Sequence, residues 1–135
     1  MEIFCWDEKY AVNIKEIDVQ HKKLVELING LNEAIYSGQG CQKLESVFKE
    51  LVEYTKTHFS NEEELMRSND YPDFLKHKAK HEELTKEVVS LQKQFEGGRI
   101  LITMQVMKFL KDWLINHIQD VDKKYAPFLK NKGVE

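Results

Sequence analysis

Cysteine is scarce in this chain, and so is nearly everything that would break or staple a fold. The two cysteines, Cys5 and Cys41, form no CxxC pair and are too few for a disulfide framework. They read as free thiols of a reducing compartment. Only two prolines occur, Pro72 and Pro127, and the six glycines fall mostly at segment breaks. That is the punctuation of a helical protein. No long basic run exists and the formal net charge is -3, which sets nucleic acid aside as a partner. The most apolar stretch, Ile100 to Leu110, is interrupted by Thr103, Gln105 and Lys108. It is too short and too polar for membrane insertion. The opening residues, Met1 to Glu8, are acidic and broken, unlike a secretory signal, so a cytoplasmic location is expected.

What is present suits one domain. A chain of 135 residues, 41% of them hydrophobic, can bury a real core, and a single domain over 1–135 is expected. Breaks at Ser37-Gly38-Gln39-Gly40, Ser68-Asn69-Asp70-Tyr71 and Glu96-Gly97-Gly98 separate four segments with helical periodicity, about 18–36, 42–67, 72–95 and 99–122. Asp18 is a candidate N-cap for the first, and Pro72 a candidate first residue for the third. Residues 1–17 read as an irregular arm, and Tyr125 to Leu129 as a closing turn. Short connections between long helices make neighbours antiparallel. The expected fold is all-α, an up-down-up-down four-helix bundle.

Each helix carries an inward stripe of apolar positions three and four apart. The stripes are Ile17, His21, Leu24, Ile28, Leu31, Ile35; then Leu44, Phe48, Leu51, Thr55, His58, Glu62, Leu65; then Phe74, His77, His81, Leu84, Val88, Leu91, Phe95; then Val106, Leu110, Trp113, His117, Val121. All five histidines lie on them. With about two inward positions in seven, chance places five of five there on the order of 0.2% of the time. Depth adds a second test. His21 and the His77/His81 pair lie near helix starts, while His58, Glu62 and His117 lie near helix ends. In an up-down bundle these are the same end, within about 10 Å along the axis. Packing alone asks for no such layer, because buried polar groups need partners.

The pairs His58/Glu62 and His77/His81 are four apart, on one helix face, able to share a metal. His117 and Asp122 are five apart, about 140° around an ideal helix, so sharing requires the helix to end or distort near residue 120. Asp120 and Asp112 compete with Asp122 by position. Five imidazoles with two carboxylates exceed the ligand count of one ion and suit two. Imidazole favours iron, copper, zinc or nickel over magnesium and calcium.

The order His21, His58-x-x-x-Glu62, His77-x-x-x-His81, His117-x-x-x-x-Asp122 resembles the hemerythrin family, as do Ile17-Asp18-Val19-Gln20-His21 and Trp113-Leu114-Ile115-Asn116-His117-Ile118. The similarity runs from Phe4 and Trp6 to Tyr125 and is closest in character to the single-domain bacterial branch. It promotes Asp122 over Asp120. It implies two non-haem iron ions: one held by His77, His81 and His117, the other by His21 and His58 with one position open. Glu62 and Asp122 would bridge them beside an oxo or hydroxo group. The activity implied is reversible dioxygen binding, for carriage, storage or delivery to an oxygen-consuming acceptor protein, by a monomer and not an enzyme.

Such a site needs a dry pocket. Leu24, Phe59, Trp113, Leu114 and Ile118 lie one, three or four positions from ligands and are candidates to exclude water. Gln20, Asn116 and Tyr125 are candidates to bond the imidazoles' other nitrogens. The rival readings are a di-iron oxidase, peroxidase or nitric oxide reductase, a redox or oxygen sensor, an iron store, and a metal-free interaction bundle.

Overall fold

Apolar side chains at helical spacing cannot be buried by one helix alone, so the stripes must meet one another. In the computed structural model they do. The structure describes residues 4–38, 41–97 and 104–134, with the side chains at 41–44, 104–105 and 120–122 outside that description. Helix α1 spans Lys15–Tyr36, α2 Cys41–Ser68, α3 Phe74–Glu96 and α4 Met104–Asn116, and α5 closes the chain at Lys123–Asn131. Among the described residues there is no strand. Helix α2 packs against both α1 and α3, and α4 lies along α1, completing the four-helix bundle. The Trp113 indole N–H donates to the Leu84 carbonyl (3.1 Å), tying α4 to α3. No helix of the described residues is long and apolar enough to cross a membrane.

The core is built on the predicted stripes with additions, though Ile35, Leu65, Phe74, Leu91 and Val106 are only partly buried and the Leu44 and Val121 side chains lie outside the description. Leu24, Ile28, Leu31, Phe48, Leu51, Val88 and Leu110 are buried together. So are Leu27, Val52 and Met107, which widen each stripe beyond a strict coiled-coil seam. A second cluster sits at the histidine end, formed by Val12, Ile14, Ile17, Met66, Tyr125 and Leu129.

Four local expectations change. Helix α1 begins at Lys15, so Asp18 is not its N-cap. The Asp18 carboxylate instead reaches back to accept from the N–H groups of Val12 (2.8 Å) and Asn13 (3.1 Å), with Asn13 at φ 63°. The acid therefore satisfies backbone donors ahead of the helix rather than those of its first turn. Pro72 lies in a turn and α3 starts two residues later, because the connection is longer than a single break. Asp70, at φ 56°, ends α2 with Tyr71 N–H to Met66 O and Asp70 N–H to Arg67 O bonds, the motif that normally selects glycine. The region of Tyr125 to Leu129 is helical, not a turn, and carries Pro127 inside α5. The fourth helix, read as continuous to residue 122, changes character at His117.

The arm is irregular but fixed. It contains one short 3-10 turn, Glu8–Tyr10, capped by the Asp7 carboxylate on the Lys9 N–H. Phe4 and Asn29 exchange two hydrogen bonds, Phe4 N–H to Oδ1 (3.0 Å) and Nδ2–H to the Phe4 carbonyl (2.8 Å). These place Phe4 and Tyr10 edge to face on the core.

Candidate metal centre

The antiparallel order brings residues from the start of α1, the end of α2, the start of α3 and the end of α4 to one level. His21, His58, Glu62, His81 and His117 are at most 1% exposed and His77 6%. Five imidazoles and a carboxylate thus share one dry layer. His21 stands 4.7 Å from His58 and 5.5 Å from His117 between ring centroids, and His77 4.7 Å from His81. The His117 ring lies between the two sets, 5.3 Å from His58 and 5.2 Å from His81.

Glu62 is the hub. Its Oε1 lies 2.7 Å from His58 Nε2, 3.0 Å from His117 Nε2 and 3.7 Å from His81 Nε2. Its Oε2 accepts the Tyr125 hydroxyl at 2.5 Å. Two overlapping groups have ligating atoms within 4.8 Å of one another: His21, His58, Glu62 and His117, and Glu62, His77 and His81. The geometry sets His117 with His21 and His58, whereas the resemblance sets it with His77 and His81.

Electrostatics favour a cation here. Burial, reinforced by His58, lowers the His21 imidazole well below its usual range. Burial lowers His58 despite Glu62 beside it, and burial with His81 brings His77 down to about 3. Burial pushes the Glu62 carboxyl up, but His58 and His117 outweigh it and hold the group well below the usual range. Three imidazoles held neutral by burial, those of His21, His58 and His77, beside an ionised Glu62 form a buried donor set that a cation suits. His58 Nε2 and His117 Nε2 lie 3.2 Å apart. Nitrogens that close, both directed at one carboxylate oxygen, suit ligands gathered around metal.

The backbone supplies what regular helix geometry lacked. From His117 to Asp122 the chain forms a π-helix. Its i→i+5 ladder stacks positions five apart, so the two ends of the segment turn toward one side. The side chains of Asp122 and of its competitor Asp120 lie outside the described residues. Asp112 is half exposed and pairs with Lys108 at 2.9 Å, away from the layer.

The outer nitrogens of His58 and His81 also find partners. Gln20, itself buried, presents Oε1 to His58 Nδ1 at 2.6 Å. Tyr125 serves Glu62 rather than a histidine. Asn116 is exposed. Sequence reasoning missed Glu63, whose Oε2 lies 3.0 Å from His81 Nδ1. The signal was its position four after Phe59, a residue flanking the site on α2. Leu24, Leu114 and Ile118 are fully buried, and Phe59 and Trp113 nearly so. Phe59 stacks on the His81 ring, 4.1 Å away and inclined by 4°.

A helical bundle whose end encloses a histidine and carboxylate cluster defines a class, the metal-binding bundles that build their site from facing helices. The comparisons narrow it. Residues 12–129 match the model of the hemerythrin HHE cation binding domain. The chain is 33% identical over 130 residues to the bacteriohemerythrin of Methylococcus capsulatus, covering 96% of this chain and 98% of that one. It is 36% identical to the bacteriohemerythrin of Stenotrophomonas maltophilia (96% and 84% covered) and 32% to a hemerythrin-like protein of Naegleria gruberi (93% and 93%). A solved wild-type hemerythrin superposes with a TM-score of 0.87 at 33% identity, covering 94% of this chain and 98% of that one. The chain belongs to the hemerythrin family.

Proposed function

We propose that the chain binds dioxygen reversibly at a non-haem di-iron centre, with His21 and His58 on one ion, His77, His81 and His117 on the other, and Glu62 and Asp122 bridging. The observation that carries this reading is the buried layer of imidazoles organised around a single oxygen of Glu62. Names of the relatives, bacteriohemerythrin and hemerythrin, support it. The imidazole set favours iron, copper, zinc or nickel over magnesium or calcium, and the family names point to iron among them. Held by these residues, the iron pair would supply the reducing equivalents for reversible dioxygen binding.

The chain's own residues do the rest. Gln20 holds His58 by its Nδ1, which turns Nε2 to the centre. Tyr125 holds one oxygen of Glu62 and leaves the other facing the imidazoles. Leu24, Phe59, Trp113, Leu114 and Ile118 exclude water, and with it the external protons that would make binding irreversible. His117 lies between the two histidine sets, and the π-helix carries position 122 round toward it. Delivery to an oxygen-consuming acceptor fits this reading.

The test is the visible spectrum of anaerobically reduced protein before oxygen, after oxygen and after purging with inert gas. A charge-transfer band that appears with oxygen and vanishes on purging is expected. A band that persists after purging would assign the centre to irreversible redox chemistry instead. No band from iron-loaded protein would overturn the dioxygen reading.

A further inference from the structure

The histidines on the two sides of the centre are held by chemically different groups. On the His58 side the acceptor at Nδ1 is the neutral amide oxygen of Gln20, 2.6 Å away. On the His81 side the group at Nδ1 is the carboxylate of Glu63, 3.0 Å away. The His81 ring is held on two sides, and its backbone carbonyl is bonded as well. Glu63 takes the Nδ1 edge, Phe59 covers the face at 4.1 Å, and the Thr85 hydroxyl bonds the His81 carbonyl at 2.8 Å. Its Nε2 faces Glu62, 3.7 Å from Oε1. Glu63 is also the point where this buried set meets solvent. Its side chain is 23% exposed, and with Ser60, Lys56 and Lys86 it lines a cleft of about 360 Å³ between α2 and α3 that reaches His81.

A carboxylate that accepts a ligand's second N–H fixes the ring tautomer and makes the other nitrogen a stronger donor. A neutral amide fixes the tautomer with less electron donation. We propose that Glu63 is a positioning residue that keeps the His81 proton on Nδ1 and Nε2 toward the metal. Its charge, unmatched at Gln20, makes the iron on the His81 side the more readily oxidised of the pair. The inference rests on the di-iron reading for its redox part, while the tautomer part concerns the chain alone. One imidazole of the centre thereby communicates with the surface through a single carboxylate, and a cation bound in the cleft would weaken that donation.

The experiment compares Glu63→Gln, Glu63→Ala and Glu64→Gln with the parent protein. Glu63→Gln keeps an acceptor oxygen and removes the charge. Glu64→Gln removes a neighbouring charge that is 60% exposed and paired with Arg67. In iron-loaded protein, Glu63→Gln is expected to favour the ferrous state about tenfold, the lower end of such outer-partner effects, or about 59 mV upward for the one-electron step. Mössbauer spectra of half-oxidised protein should show the ferric site switching or becoming mixed in Glu63→Gln alone. Nitrogen NMR of metal-free protein should find His81 protonated on Nδ1, and Glu63→Ala should shift it toward Nε2. Equal midpoints in Glu63→Gln and Glu64→Gln would overturn the redox assignment. A parent His81 protonated on Nε2 would overturn the positioning role. Neither readout uses dioxygen, so loss of reversible oxygen binding would fall on the proposed function and leave this inference standing.

Discussion

Tyr125→Phe removes the hydroxyl that bonds Glu62 at the foot of the centre. The hydroxyl donates to Glu62 Oε2 at 2.5 Å, and both side chains are fully buried. Phenylalanine preserves the ring contacts with Tyr71 and His77 and opens no methyl-sized cavity. What is lost is a bond to an ionised acceptor with no water to replace it. Hydrogen bonds to charged groups contribute about 1.5–3 kcal/mol, so a loss of about 2 kcal/mol is expected. That is a factor of about 30 in the folded-to-unfolded ratio, at about 1.4 kcal/mol per tenfold. With a urea slope of about 2 kcal/mol/M, the midpoint should fall by about 1 M with the slope unchanged. The assay is urea unfolding of metal-free protein by circular dichroism, with Tyr71→Phe beside it as a partly buried ring packed on the same cluster. A Tyr125→Phe loss under about 0.5 kcal/mol, or one equal to that of Tyr71→Phe, would refute the reasoning.

Two further outcomes follow from the site. His21, His58 and His77 are all lowered when folded, His77 to about 3, while an unfolded histidine titrates near 6.5. Between those values the unfolded chain holds protons that the folded one does not. Stability of metal-free protein is therefore present above pH 6.5 and lost as pH falls toward 3, each histidine adding about 1.4 kcal/mol per pH unit to the slope. Urea midpoints that stay flat from pH 7 to 5 would contradict this, and the iron-loaded protein should release metal over the same range. Leu24→Ser and Ile118→Ser should speed conversion of the oxygenated protein to the ferric state, read as decay of the charge-transfer band. Parent-like decay in both would remove them from the pocket.

Much of the fold was legible because helical periodicity and glycine breaks are local signals. The inward stripes anticipated the burial of His21, Leu24, Ile28, Phe48, Leu110 and His117. Several of the errors lie where a contact or turn beyond the local pattern decides the structure. Asp18 looks like a cap because caps are judged by sequence position, yet its carboxylate turns back to Val12 and Asn13. Pro72 looks like a helix start, but Asp70 in a left-handed conformation and Tyr71 extend the turn. Glu63 looks like one more surface acid in the run Glu62-Glu63-Glu64, and only the approach of α3 gives it His81 as a partner.

The π-helix is the more instructive failure of periodic reasoning. A 3.6-residue repeat places residues 117 and 122 far apart around the axis, so spacing alone could only require a distortion near residue 120. The distortion is there, and its bounds coincide with the two residues in question. A π segment gives up regular packing of its hydrogen bonds and is rare without a compensating role. Here the same segment begins at the imidazole lying 3.0 Å from the Glu62 oxygen and ends one turn before Tyr125, which holds the other oxygen of that carboxylate. An ordinary α-helical register from His117 onward would rotate Tyr125 relative to His117. The two could not then both address Glu62 as they do. The backbone irregularity thus sets Tyr125, which orients the Glu62 carboxylate, in register with His117.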